Sequence, residues 1–121
     1  MEYQAFYFED NKGVAPVRDY ILALPTAKKA KVFAYLHHLE NVGPSMRRPM
    51  ADYMGDRSGL YELRPGRNRV IYFYLQRNKI ILLHAFLKKT EAIPEADIRV
   101  AEDRKDICET LGKYQMVNFE E

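Results

Sequence analysis

Near the start of the chain Tyr3, Ala5 and Tyr7 alternate with Gln4, Phe6 and Phe8, an aromatic-rich pattern with both faces partly apolar, and this predicts a strand. The polar cluster from Glu9 to Gly13 ends it. Pro16 suits the first turn of a helix, where its missing N–H costs nothing. Val17, Ile21 and Leu24 then recur at helical spacing until Pro25 stops the run. Thr26 is the expected N-cap of a second helix through about Val42, with Val32, Phe33, Leu36 and Leu39 as its buried stripe and Gly43-Pro44 as its end. Residues 44–59 are rich in Pro, Gly, Arg, Met and Asp and read as a long loop with one short turn at most. Leu60 to Arg64 predicts a short strand, Pro65-Gly66 a turn, and Asn68 to Gln76 a long aromatic and β-branched strand. After Arg77-Asn78, Lys79 to Leu87 is apolar on both faces, which places it near a sheet's centre or under two covering layers. Pro94 opens a last helix, with Ile98, Ala101, Cys108 and Leu111 on one face and Gly112 as its stop.

The predicted order is β-α-α-β-β-β-α, an α+β domain over residues 1–112 with a tail at 113–121 that either adds an edge strand or docks on a partner. Short connections make the last three strands an antiparallel meander, and the helix pair is expected to cover one face of this small sheet.

With 121 residues the chain has the size of one domain, and 47% hydrophobic with 30% charged residues excludes disordered and fibrous classes. The single cysteine, Cys108, forms no internal disulfide, which favours a reducing, cytoplasmic setting. No apolar run reaches the roughly 18 residues of a membrane span. A net charge of +2 hides an uneven distribution. Residues 57–79 carry six basic side chains (Arg57, Arg64, Arg67, Arg69, Arg77, Lys79) against Glu62 alone, whereas residues 1–56 balance and residues 80–121 are acidic. Such a block suits either an anionic partner or a solvated hairpin edge.

The segments GLYELR, RVIYFY and IILLHAFLKKT, followed by a Pro-started helix, resemble the HigB-like, phage-associated branch of the RelE/ParE toxin superfamily. PVRDYILALP and GPSMRRP look like that branch too, so the likeness spans roughly residues 4–106. It implies a RelE-like fold, in which a small antiparallel sheet packs on two N-terminal helices, and the toxin of a type II toxin–antitoxin pair. It also implies a metal-independent mRNA endoribonuclease working on the ribosome, in which the RNA's own 2′-hydroxyl attacks the adjacent phosphate. The implied partners are mRNA, the ribosome and a cognate antitoxin, a helix-turn-helix protein of the HigA type; no cofactor or membrane is implied. A ParE-like poison of DNA gyrase, or an inactive phage-derived binding module, is the alternative.

Such chemistry builds negative charge on phosphoryl oxygens, and arginine matches those oxygens with two prongs. Arg64 at the end of one strand, Arg69 at the start of the next and Lys88-Lys89 after the third can meet at one edge of a meander. By the superfamily pattern, Arg64, Arg69 and Lys89 are the catalytic cations. The chain departs from that pattern at Glu62, where RelE has a lysine, and near Glu95, where a tyrosine is expected. His84 is a rival acid or base, against a reading as a buried, hydrogen-bonded structural histidine on the same side as Leu82 and Phe86. Arg47, Arg48, Tyr53, Arg67 and Lys88 are the expected RNA contacts. Tyr61, Tyr72 and Tyr74 read as core, His37 and His38 as helix surface, and Cys108 as a small core residue. No histidine pair has the spacing of a metal site.

Overall fold

A computed structural model describes residues 2–55 and 59–121; Arg57, counted above in the cationic block, lies outside them. Strand β1 (Gln4–Phe8) is followed by helices α1 (Pro16–Leu22) and α2 (Thr26–Val42), and a short 3-10 turn (Gly43–Ser45) leads to strand β2 (Ala51–Tyr53). Strands β3 (Tyr61–Leu63), β4 (Asn68–Leu75) and β5 (Lys79–Leu87) form the meander, and helix α3 (Glu95–Leu111) and strand β6 (Tyr114–Met116) close the chain.

The sheet is larger than the sequence suggests, and mixed rather than antiparallel. Among the described residues six strands run in the order β2-β3-β4-β5-β1-β6, with β1 parallel to β5 and every other pair antiparallel. The parallel pair arises because the chain leaves β1, builds the helix pair and meander, and reaches β1 again from β5. Two strands were not expected as such. β2 lies in the segment read as a loop, where three residues are too few to show a period of two; the tail supplies β6, one of the two roles left open for it. These additions overturn the order β-α-α-β-β-β-α.

β5 occupies the middle of the sheet, in agreement with its two apolar faces. Helices α1 and α2 cover one face, burying Val17, Ile21, Val32, Leu36 and Leu39 against Tyr7, Tyr72 and Leu82. Helix α3 covers the other face, where Ile98, Ala101 and Cys108 meet Phe8, Ile71, Phe73 and Leu83. Burial pushes the Cys108 thiol up to about 11, as suits an unreactive core residue. Pro25, not Thr26, takes the N-cap of α2; its fixed φ of −55° sets the entry and Thr26 becomes the first helical residue.

A β-bulge makes the next difference. Ile71 pairs with His84 but Tyr72 pairs with Leu82, so Leu83 is the extra residue. Strict alternation would put His84 with Leu82, on the side of the helix pair. The bulge breaks that phase: Leu82 packs under α1 and α2, while Leu83 and His84 turn toward α3.

Candidate functional site

The sheet end nearest the start of α3 gathers the basic side chains. β3 runs into Arg64, and Pro65, Gly66 and Arg67 make the turn, with Gly66 at a φ of +65° that favours glycine. The amide of Lys88, just past β5, donates to the carbonyl of Arg67 (2.9 Å), which brings the end of the third strand beside the turn between the first two. Arg67, Arg69, Lys88, Lys89, Thr90 and Glu91 line one depression of about 420 Å³. Arg64 lines an adjoining depression of about 380 Å³ with Asp52, Glu62, Ile93 and Ile98, and Lys88 and Glu91 border both. Arg69 and Lys89 therefore share a pocket, and Arg64 stands next to it.

Glu62 lies between the two arginines. It points to the α3 face, in register with Ile71 and with Asp52 on β2, and is 3% exposed. Its Oε1 accepts a hydrogen bond from Nε of Arg64 (3.0 Å), and its Oε2 lies 3.2 Å from Nε of Arg69. Nη1 of Arg69 donates to the carbonyls of Gly66 (2.8 Å) and Asn68 (2.9 Å). Asp52 pairs with Arg48 at 2.8 Å and with Arg64 at 3.6 Å, and the Arg48 guanidinium holds its carboxyl below the usual carboxylate range. Charges thus alternate from Arg48 through Asp52, Arg64 and Glu62 to Arg69. Four cations, Arg67, Arg69, Lys88 and Lys89, line the larger depression against the one carboxylate of Glu91, so it keeps an excess of positive charge.

His84 lines neither depression. Its Nε2 is 2.6 Å from Oδ1 of Asp97 near the start of α3, its Nδ1 is 3.5 Å from Nη1 of Arg104, and Phe86 stacks on the ring. Burial, reinforced by the Arg104 charge, pulls its pKa below the ordinary histidine value despite Asp97. With both ring nitrogens facing protein groups, His84 joins β5 to α3. Asp97 escapes a search by spacing because the pair joins a strand to a helix across an irregular loop.

Arg47, Arg48 and Tyr53 line a third depression with Met46, Asp52 and Tyr61 at the free edge of β2. Tyr53 is 52% exposed, and its ring meets Tyr61, which stacks on Tyr72. Tyr53 also lines the depression that holds Arg64, so it borders both. Sequence spacing also misses Lys31 on α2: a Cβ built on Gly66 would stand 3.9 Å from its Nζ, so it flanks the turn from the opposite face. His37 and His38 are exposed on α2. Among the described residues no group of three or more His, Cys, Asp or Glu side chains is placed to hold a metal ion. Among them, too, no helix is long and apolar enough to cross a membrane.

No curated protein matches the chain. The model of the family described as phage derived protein Gp49-like matches residues 19–106, a span that holds the whole meander, the basic turn and the first three turns of α3. The chain belongs to this Gp49-like family of phage-derived, RelE- and toxin-like proteins.

Proposed function

We propose that the protein is a HigB-like toxin of a type II toxin–antitoxin pair that cleaves mRNA, on the ribosome, at the basic rim of its sheet. The observation that carries this reading is the meeting of Arg67 and Arg69, from the turn and the start of β4, with Lys88 and Lys89, from beyond β5, in one depression, with Arg64 in the next. Attack by a 2′-hydroxyl adds charge to the phosphoryl oxygens, and fixed cations lower the barrier by meeting that charge as it develops. The O2′–P bond forms, the P–O5′ bond breaks, and the 2′-proton passes to a base while the 5′-oxygen takes one up. The products are a 2′,3′-cyclic phosphate and a free 5′-hydroxyl. Arg69 and Lys89 contact the scissile phosphate, Arg64 its neighbour, and Arg67 and Lys88 guide the strand. A helix-turn-helix antitoxin of the HigA type silences the toxin, and its gene lies beside that of the toxin.

The test is induced expression, alone and with the neighbouring reading frame, followed by growth measurement and mapping of transcript ends. The expected result is growth arrest with new ends inside coding sequence, relieved by the neighbour. Lys88→Ala/Lys89→Ala should abolish arrest without harming the fold, because both follow the end of β5, Lys88 half-buried and Lys89 exposed. DNA damage with intact transcripts would point to a gyrase poison, and no arrest at high expression to an inactive binding module. Either outcome overturns the proposal.

A further inference from the structure

Glu62 poses a physical problem for a site meant to hold RNA. A buried carboxylate costs several kcal/mol in desolvation unless it is well paired, and its negative charge weakens the attraction that the rim offers to phosphate. Electrostatics alone would favour a neutral residue there. Its contacts suggest what it supplies instead. Both arginines bring Nε to it, one to each oxygen, Arg64 in a hydrogen bond and Arg69 as a buried ion pair at 3.2 Å that does not have hydrogen-bond geometry. Each is held at a second point, Arg69 by the turn carbonyls and Arg64 by Asp52.

We propose that Glu62 is a positioning residue of this site: its two carboxylate oxygens set the guanidinium groups of Arg64 and Arg69, one from each side of the Pro65–Gly66 turn, at a fixed separation for the phosphodiester. The inference rests on the reading of the rim as the RNA-cleaving site. An unanchored arginine side chain carries roughly 2 kcal/mol of rotamer entropy, which it loses when it grips a ligand. Here that ordering precedes RNA: Nη1 of Arg69 is held by the turn carbonyls and Nη2 of Arg64 faces Asp52, so among the described residues Nη2 of Arg69 and Nη1 of Arg64 are the outer nitrogens left to meet phosphate. Glu62 acts through the arginines and touches no substrate.

The experiment sets charge against geometry. Glu62→Gln removes the negative charge but keeps the shape: the amide oxygen can still accept from Arg64, whereas the ion pair that holds Arg69 is lost. Binding is measured with an oligonucleotide carrying a 2′-deoxy residue at the cleavage position, and cleavage in a single turnover on ribosomes. The expected result is binding as tight as wild type or tighter, with cleavage reduced by about 10²-fold, the scale of losing one preorganised donor. Cleavage within twofold of wild type overturns the proposal. A readout that needs no catalysis is water exchange at the Nε–H groups of Arg64 and Arg69, followed by nitrogen-15 NMR. Exchange is expected to be slow in wild type and fast for at least one arginine in the variant. Fast exchange at both sites in wild type overturns positioning even if no folded variant is obtained. A wild type that cuts no RNA defeats the functional reading instead, while the exchange rates still decide the role of Glu62.

Discussion

Two residues show how single positions constrain this molecule. Gly43 ends α2 with a φ of +54°, and a Cβ there would stand 2.3 Å from the ring of Tyr3. Gly43→Ala therefore combines backbone strain with a clash, and unfolding in urea should show a loss of about 2 kcal/mol or more. His84 carries the pH dependence. Its folded pKa lies below the unfolded value because the charged form is desolvated, so between pH 7 and 5 the unfolded chain binds more protons. Stability is complete above the unfolded histidine pKa of about 6.5 and falls as the pH drops through it. His84→Gln should flatten that slope. An unchanged slope in pH-resolved urea titrations would show that the ring protonates in place.

At the scale of elements, the tail and the bulge decide more than their lengths suggest. β6 pairs with β1 through Phe6 and Met116, and beyond it Val117 is buried, Phe119 packs on Phe33 and Arg18 holds Glu121 at 2.6 Å. Without these residues β1 would present an open edge beside exposed aromatic surface. A chain ending at Gly112 should dimerise or aggregate during size-exclusion chromatography; a monomer of wild-type stability would count against that role. The bulge at Leu83 turns His84 toward Asp97, so a one-residue irregularity decides which helix the histidine holds.

Across the whole molecule, the basic rim lies at the sheet end nearest the start of α3, while residues 90–121, with nine acidic against four basic side chains, form α3 and the outer strand β6. Long-range attraction is thereby concentrated where the strands end. If Arg67, Arg69, Lys88 and Lys89 each neutralise one phosphate, log affinity for single-stranded RNA should fall against log salt with a slope of about −2.8. Lys88→Ala should reduce the slope by about 0.7 and weaken all sequences alike. A response independent of salt would place the RNA elsewhere.

Most of the local structure was legible in the sequence. Helix starts at Pro16 and after Pro94, the stop at Gly112, the three meander strands and the central place of β5 follow from spacing, proline and glycine chemistry, and an apolar run with two buried faces. The gathering of Arg64, Arg69 and Lys89 was legible as well, since short connections leave antiparallel strands few ways to arrange their ends. What tertiary structure alone decided are pairings between residues far apart in the chain. These include β1 lying parallel to β5, the three-residue β2 finding β3, and the tail becoming β6. They also include the bulge that rephases β5 and the burial of Glu62 between two guanidiniums. Local pattern records a residue's own periodicity and turn preference; it does not record which distant strand will satisfy its backbone or which charge will face it once water is excluded.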